Sequence, residues 1–342
     1  MKKINILKTS YLKRKIKENI LKICLLDFKL KERKIDNKKI LIVSMDSLGD
    51  NVIKSKTIEI LSNEFKKENI YILCKNKWKE IYDLQGYFNL FVDESNWNIF
   101  HKVKLYRKIN KMNFSKVISL SHKGIAKELE YIYTKNKYAT LETVDYVLER
   151  HVLILNKVLN KNFSLEEVKP NFKKYFPLKK YSNIICIGIG ASGNERMMKI
   201  ENMKKIIVGL LQNYPKKDIL LFGNGKREKE YAKKISEGLE TKNLKNYIDK
   251  LSILETMQYI SDCDLFIGMD SGLMNIAFAL DKKVICTHWS KEKYFWEHPF
   301  KNVKIVKGNE DKKYYDKVYG TEILNSISFE QIIKAAKELN VK

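Results

Sequence analysis

The sequence lacks any run of about 18 apolar residues, the length that a helix needs to cross a bilayer. Its first residues also lack the short apolar core and the small-residue cleavage site of a secretory signal peptide. These absences exclude a membrane-spanning helix and a conventional exported precursor. We therefore expect the protein to work in the cytoplasm.

Cysteine and histidine are scarce, with five of each in 342 residues. The cysteines are odd in number and show no paired spacing, and Cys74, Cys186 and Cys286 lie inside apolar, strand-like runs. We expect reduced core residues rather than disulfide partners. No His-Glu-x-x-His spacing is present and no histidine stands near a cysteine pair, so we predict no metal site and no bound cofactor.

Acidic residues are few relative to basic ones, 41 against 66, which leaves a net charge of +25. Nucleic acid, an anionic membrane surface or a polyanionic substrate would each attract such a charge. The lysines accompany heavy use of Ile and Asn, a bias that genome composition could partly produce. No helix-turn-helix, zinc-finger or paired-aromatic signature interrupts them, so we predict no nucleic-acid partner.

Residues 1–36 are dense in Lys and Arg and carry apolar residues at mostly helical intervals, which predicts a basic amphipathic leader helix. Two interpretations fit this pattern equally. The helix is either a peripheral anchor on anionic lipid headgroups or a helix packed on its own domain with a solvated basic face. The apolar positions are Leu7, Tyr11, Leu12, Ile16, Ile20, Ile23 and Leu26.

From residue 39 onward, short apolar runs rich in β-branched residues alternate with helical stretches, which is typical of parallel sheets covered on both faces. The length predicts two domains. The fold class is therefore α/β, with two doubly wound Rossmann-like domains. Strands are predicted at 40–44, 70–74, 90–92, 116–120, 184–189, 218–222, 264–267 and 283–286, and helices at 52–65, 143–159, 201–213, 227–237, 253–261, 272–280 and 329–339.

A loop that holds two of the four prolines, Pro170 and Pro177, marks the predicted domain boundary. We predict a leader over 1–36, an N-terminal domain over 37–168, a linker over 169–182 and a C-terminal domain over 183–342. Ligands of doubly wound domains bind at the carboxyl ends of the strands. The turns that follow strands are therefore the places to seek a site.

The turn after the first predicted strand, residues 44–52, places Asp50 at the start of a helix. A carboxylate there could accept a proton from a substrate hydroxyl, or it could be only an N-cap. The turn after the first strand of the second domain, residues 188–199, combines small residues with Arg196 and Lys199, which could reach a phosphate. A flexible surface loop is the alternative there.

A third turn joins the predicted strand at 264–267 to a helix through Asp270, Ser271 and Gly272. The unpaired N–H groups and the positive dipole end of such a helix favour an anion such as a diphosphate. An ordinary capped turn between strand and helix is the alternative.

Together these turns resemble, in order and spacing, the bacterial heptosyltransferases of glycosyltransferase family nine, which add heptose to the lipopolysaccharide core. Residues 47–50 match the family's Ser-Leu-Gly-Asp turn, and residues 190–192 match its Gly-Ala-Ser turn. Residues 268–275 match its Gly-x-Asp-Ser-Gly-x-Met-His stretch at most positions. The resemblance extends from about residue 39 to the end of the chain and does not cover the leader.

The resemblance implies a GT-B fold, with the acceptor recognised mainly by the first domain and the nucleotide-sugar by the second. It implies that Asp50 is the general base of an inverting transfer. Oriented donors and positive charge would stabilise the leaving diphosphate without a metal. The residues implied in donor or diphosphate binding are Ser192, Arg196, Asp270, Ser271, Gly272 and Asn275.

The chain departs from the family pattern at three of these places. Asn275 stands where the family usually has His, Met198 where it has an aromatic residue, and Arg196 where Lys is common. Asn hydrogen-bonds but carries no charge, which leaves the donor sugar open.

The expected function is that of an inverting, metal-independent glycosyltransferase at the inner face of the cytoplasmic membrane. It would transfer a sugar, heptose from ADP-heptose first among the candidates, to a lipopolysaccharide core or related lipid-linked glycan. One alternative is a family member that uses another nucleotide-sugar for a different surface glycan. Another is a catalytically silent module that binds a nucleotide or lipid, against which the presence of Asp50, Arg196 and Asp270 argues.

Overall fold

The computed structural model describes residues 2–30, 36–94, 98–121, 127–139, 144–239, 241–290, 297–309 and 320–341. The chain divides into two compact units. The first comprises Met1–Asp46, Thr57–Thr143 and Arg150–Ser164, and the second comprises Ser47–Lys56, Val144–Glu149 and Leu165–Lys342.

Helices and strands alternate along most of the chain. The helices are α1 (Lys2–Cys24), α2 (Leu26–Leu30), α3 (Leu48–Ile53), α4 (Ser55–Phe65), α5 (Lys79–Leu84), α6 (Ile99–Lys111), α7 (Val147–Leu159), α8 (Ile200–Asn213), α9 (Lys226–Ser236), α10 (Ile253–Asp262), α11 (Gly272–Ala279), α12 (Glu322–Asn325) and α13 (Phe329–Glu338). The strands are β1 (Asp36–Ser44), β2 (Ile70–Lys75), β3 (Leu90–Asp93), β4 (Phe114–Ser119), β5 (Lys137–Tyr138), β6 (Ile184–Gly188), β7 (Asp218–Phe222), β8 (Leu244–Asn246), β9 (Leu265–Met269), β10 (Val284–His288) and β11 (Val303–Lys307).

The first unit is built on a five-stranded parallel sheet in the order β3-β2-β1-β4-β5. The central strand β1 contains an uninterrupted apolar run over residues 40–43, and each of its side chains is at most 1% exposed. Both faces of the strand are therefore covered, as a continuous apolar run in a parallel sheet predicts. Leu21 and Leu25 of the leader belong to the core on one of these faces, where they pack with Leu41 and Val43.

The second unit is built on a six-stranded parallel sheet in the order β11-β10-β9-β6-β7-β8. Every residue of β6, β9 and β10 is buried. Local signals in the sequence fix where helices begin: Ser252 and Glu255 form a capping box on α10, and Ser328 and Gln331 form another on α13. The carboxyl ends of the central strands thereby lead into turns at one edge of the sheet.

The structure confirms the predicted α/β class and all eight predicted strands, whose ends shift by a few residues. Strands β5, β8 and β11 were not predicted. β5 and β8 are very short, and lysines interrupt the apolar residues of β11, which lies at the edge of its sheet. The stretch predicted as one helix over 52–65 forms two, α3 and α4, which are separated at Lys54.

The leader is helical, as predicted, over α1 and α2. Across the described ranges, no helix combines the length and the apolar character that spanning a bilayer requires. The predicted domain bounds stay a prediction. The structure groups the segment Ser47–Lys56, which follows strand β1 of the first sheet, with the second unit.

Candidate functional site

The predicted turns of the second unit meet at one edge of its sheet. Strand β6 pairs directly with β9, so the turn that follows β6 lies beside the turn that follows β9. The first turn holds Ser192, which is exposed, and Arg196, which is half-buried. The second holds Asp270, which is only 3% exposed.

An ion pair joins these two turns. Arg196 Nη1 donates to Asp270 Oδ2 at 3.0 Å. The guanidinium carbon lies 5.6 Å from the centre of the Trp289 ring, a cation–π contact. The Trp289 carbonyl accepts a hydrogen bond from Thr321 Oγ1 at 2.6 Å, which holds that residue in place. Arg196 is therefore fixed beside the start of α11 before any ligand binds.

Helix α11 begins immediately after Asp270. Ser271 is its N-cap, with extended backbone angles (φ −154°, ψ 172°), and Gly272 is its first helical residue. The first N–H groups of a helix have no partner within the helix, and its dipole is positive at this end. Arg196 and the backbone of Ser271 and Gly272 thus combine positive charge with N–H donors, which suits a phosphate group.

Two charged residues of α9, which the sequence did not single out, reach the turn after β6. The Glu228 carboxylate lies against Gly190 and Gly223, in space that a Cβ at either glycine would fill, and its Oε2 accepts from the Asn224 N–H at 2.7 Å. Burial raises the pKa of Glu228. Arg227 donates to Asn194 Oδ1 at 2.9 Å and to the Ala191 carbonyl.

A positional signal for Glu228 was present in the sequence. The predicted strand at 218–222 ends just before a helix predicted to begin at residue 227, so the first turn of that helix follows a strand. An acidic residue downstream of the first glycine-rich turn binds the ribose in doubly wound dinucleotide-binding domains, which makes a carboxylate at this edge of the sheet a candidate for that role.

Asp50 lies in the first turn of α3 and is 6% exposed. The N-cap of α3 is Ser47 and not Asp50; Asp50 is the third helical residue, and its Oδ2 accepts the Ser47 N–H at 3.0 Å as part of a capping box. Asn51 Nδ2 donates to the Ser47 carbonyl at 2.6 Å and fixes the same turn. The carboxylate is therefore held in one orientation at the helix start.

Helices α3 and α11 touch through glycine. A Cβ placed on Gly49 would lie 3.1 Å from the Gly272 Cα and 2.7 Å from Asn275 Nδ2. A side chain at residue 49 would therefore have to displace the Asn275 amide and would crowd the Gly272 backbone. This contact brings the turn that carries Asp50 against the helix that follows Asp270.

Asn275 also ends a buried chain of hydrogen bonds that could not be predicted from the sequence. The Tyr146 hydroxyl lies 2.7 Å from His298 Nδ1, and His298 Nε2 lies 2.8 Å from Asn275 Oδ1. The imidazole stacks on Phe278, with ring centres 3.7 Å apart. The backbone N–H of Tyr146 donates to Glu149 Oε2 at 3.1 Å. The three linked residues are each at most 5% exposed.

The direction of this chain follows from its chemistry. An amide oxygen only accepts, so His298 Nε2 carries the proton and Nδ1 accepts from Tyr146. Burial, with a smaller contribution from the Lys169 charge, lowers the pKa of His298 to about 3. The imidazole is therefore neutral at physiological pH. The chain holds Asn275, which stands where the resemblance expects His, with its amide nitrogen toward Gly49.

The first unit has a cavity of about 160 Å³ at the carboxyl ends of its strands. Lys75 ends β2, and Asp93, which ends β3, is paired with Lys102. The leader contributes Arg14 to the same lining. The charged lining residues are Arg14, Lys75, Lys102, Lys127, Asp93 and Glu128, so basic residues outnumber acidic ones.

The residues predicted for the site lie together in the second unit, Asp50 included. The contacts described above join Arg196 to Asp270 and the turn of Asp50 to Asn275. Sequence reasoning missed Tyr146, His298, Trp289 and Glu228. Over the described part of the chain, no cluster of three or more His, Cys, Asp or Glu side chains is placed to hold a metal ion.

The chain is similar to known glycosyltransferases. The sequence model of glycosyltransferase family 9 (heptosyltransferase) matches residues 147–325. Lipooligosaccharide heptosyltransferase 2 of Campylobacter jejuni is 24% identical over 268 residues, which span 75% of this chain and 82% of that protein.

Solved structures show the same fold. A glycosyl transferase of family 9 from Veillonella parvula aligns with a TM-score of 0.66 at 18% identity, over 90% of this chain and 98% of that one. E. coli heptosyltransferase WaaC with ADP-2-deoxy-2-fluoro heptose aligns with a TM-score of 0.66 at 13% identity, over 88% and 99%. These likenesses confirm the GT-B fold.

The contact between Gly49 and α11 predicts that Gly49→Ala destabilises the protein by about 1–3 kcal/mol, because the new methyl group must displace Asn275 or push two helix backbones apart. Gly272→Ala is the matched control, since its Cβ would meet Gly49 N at an ordinary 3.4 Å. Urea denaturation measures both. Equal stability of the two variants would contradict the close-contact argument.

The neutral His298 predicts a pH dependence of stability. In the unfolded chain His298 binds a proton below its usual pKa of 6.5, whereas in the folded protein burial lowers that pKa to about 3. Stability therefore falls as pH falls from 6.5 towards 3. At pH 5 the loss is about 2 kcal/mol relative to neutral pH. His298→Gln should remove this part of the dependence, whereas Tyr146→Phe should keep it at a lower overall stability. Melting temperatures across the window test this, and an unchanged slope in His298→Gln would refute it.

Proposed function

We propose that this chain transfers heptose from ADP-heptose to a lipopolysaccharide core or related lipid-linked glycan. The chain belongs to glycosyltransferase family 9 and is a glycosyltransferase. The observation that carries the proposal is the contact between α3 and α11. It brings a fixed carboxylate, Asp50, together with a helix start that suits a diphosphate. Support for the donor comes from the similar WaaC structure, which holds an ADP-heptose analogue.

The donor diphosphate would bind at the start of α11. Arg196 is held beside this helix start by Asp270, and a guanidinium suits phosphate oxygens because it presents several N–H donors in one plane. The N–H groups of Ser271 and Gly272 and the Ser192 hydroxyl would complete the diphosphate site. Asp270 and Asn275 would face the sugar, and Glu228 would accept the ribose hydroxyls.

Asp50 would act as the general base of a single displacement. The acceptor oxygen forms a bond to the anomeric carbon while the bond from that carbon to the diphosphate breaks, and the configuration inverts. The acceptor proton passes to Asp50, and the nucleoside diphosphate leaves with the electron pair. The hydrogen bond from the Ser47 N–H holds the Asp50 carboxylate in place at the start of α3.

Charge on the leaving diphosphate would be stabilised without a metal. Arg196 is held in place by Asp270 and by the Trp289 ring, so it needs little reorganisation when the bond breaks. The N–H donors of α11 are equally fixed. Preorganised charge of this kind replaces the function of a divalent cation.

The acceptor would present its anionic groups to the basic cavity of the first unit. Lipid-linked core saccharides carry negative charge and lie at the inner face of the cytoplasmic membrane. A protein with a net charge of +25 is attracted to such a surface. We place the enzyme there, in peripheral contact with the membrane.

A second donor is favoured by one observation. Asn275 is bonded to a neutral His298, so this part of the site offers hydrogen bonds and no positive charge. A nucleotide-sugar other than ADP-heptose, used to build a different surface glycan, is the alternative. Incubation with several nucleotide-sugars and a lipid-linked acceptor extract, with products identified by mass, separates the two.

Asp50→Asn should lower the rate constant of sugar transfer by about 10²- to 10⁴-fold, because the amide cannot accept the proton. The affinity for ADP should stay close to that of the parent, since the Asn oxygen can still accept the Ser47 N–H. Asp46→Asn is the matched control from the same loop, and it should have little effect. Transfer by Asp50→Asn at the parental rate would exclude Asp50 as the base, and a large loss in Asp46→Asn alone would move the role to Asp46.

Arg196→Ala should weaken ADP binding by about 10- to 100-fold, the usual effect of losing a charged hydrogen bond to an anion. Arg196→Lys should recover part of the affinity, because lysine keeps the positive charge but lacks the planar guanidinium that binds two oxygens at once. Calorimetric titration of ADP measures both.

The parental enzyme should keep its activity in EDTA, and activity restored only by a divalent cation would overturn the metal-independent mechanism.

A further inference from the structure

The solvent-facing side of the leader carries a row of large apolar side chains, which we name the apolar stripe. Its members follow one another at intervals of three or four residues, so they share one side of the helical segment. Ile23 is 71% exposed and Leu30 is 75% exposed. The members of the apolar stripe are Leu12, Ile16, Ile20, Ile23, Leu26 and Leu30.

A different face of the leader packs on the first unit. Leu21 and Leu25 are fully buried in its core, and Arg107 of α6 donates to the Cys24 carbonyl at 2.8 Å. Packing on the domain therefore accounts for Leu21 and Leu25 and does not account for the apolar stripe. Exposing six large apolar side chains in water is unfavourable unless another surface covers them.

Charge is divided between the two faces. The carboxylates of residues 12–30 are Glu18 and Asp27, and both are held by basic residues of the first unit. Glu18 lies 3.3 Å from Lys127, and Asp27 lies 2.9 Å from Arg107. The exposed lysines beside the apolar stripe are Lys13, Lys15 and Lys29, whereas Lys22 is paired with Glu130 of the first unit. The solvent side thus combines apolar and basic side chains, while the acidic ones are engaged with the domain.

We propose that the apolar stripe and its flanking lysines dock on the surface of a membrane that contains anionic lipid. Apolar side chains would enter the boundary between headgroups and acyl chains, and the lysines would contact anionic headgroups. A second copy of this chain is a poorer occupant. Each copy has a net charge of +25, and both carboxylates of this segment are already engaged with cations, so two stripes would bring lysine against lysine.

The leader that carries the docking surface also lines the basic cavity of the first unit, with its other face. Arg14 and Leu21 of the leader line that cavity together with Lys75 and Asp93, which end strands β2 and β3. Docking would therefore hold the acceptor side of this unit close to a lipid-linked substrate. This consequence rests on the proposed function, whereas the docking itself does not.

Flotation of the full chain with vesicles tests the proposal. One set of vesicles mixes phosphatidylglycerol with phosphatidylcholine, and the other is phosphatidylcholine alone. The variants are Ile16→Ser with Ile23→Ser, and Lys13→Gln with Lys15→Gln. Phe88→Ser is the matched control, since Phe88 is an apolar residue that is 85% exposed outside the leader.

The parent and Phe88→Ser should float with the anionic vesicles, and added salt should release part of the bound protein. The isoleucine pair should weaken binding by about tenfold or more, and the lysine pair should weaken it by a similar factor at low salt only. Melting temperatures should match that of the parent, because these side chains lack burial in the core.

Any of three results would overturn the proposal. One is binding of the isoleucine pair as tight as that of the parent, and another is a parent without preference for anionic vesicles. The third is a parent dimer in sedimentation that the isoleucine pair dissociates, which would assign the apolar stripe to a second copy. Sugar transfer to a detergent-solubilised acceptor is measured in parallel. It should be unchanged in all these variants, so failure of docking and failure of the proposed function are separate outcomes.

Discussion

The glycine contact between α3 and α11 is the constraint on which the candidate site depends. Gly49 has no side chain to displace Asn275 or crowd Gly272, so the backbones that carry Asp50 and the N–H groups at the start of α11 approach closely. The segment Ser47–Lys56 groups with the second unit for the same reason, although strand β1 before it belongs to the first sheet. One close approach thus unites residues that are more than two hundred positions apart in the sequence.

Features with local causes were predictable from the sequence. Apolar runs such as residues 40–43 and 218–222 specified strands, and Ser271 and Gly272 marked the start of α11, because strand burial and helix capping depend on neighbouring residues. The bond between Tyr146 and His298 joins residues 152 positions apart, and no periodicity connects them. The sequence also left open which face of the leader packs on the domain, and the buried residues are Leu21 and Leu25, which lie outside the apolar pattern that the sequence singled out.

The ion pair between Arg196 and Asp270 shows that residues of separate motifs depend on one another in the folded protein. The sequence assigned the two residues to separate tasks, diphosphate and sugar, whereas the structure couples them at 3.0 Å. A change at Asp270 would therefore also alter the position of the guanidinium. Trp289 adds to this coupling by holding the other side of Arg196. Their contributions to binding should not be additive.

One face of the leader packs in the core and another faces solvent, so truncating the leader cannot separate its role at a membrane from its role in folding. Leu21 and Leu25 complete the packing around Leu41 and Val43, so removing the leader would leave apolar strand residues open to water. A shortened protein would aggregate or unfold for reasons unrelated to any membrane. The lipid-facing role can therefore be lost through substitutions on one side of the helix, while the fold keeps the helix itself.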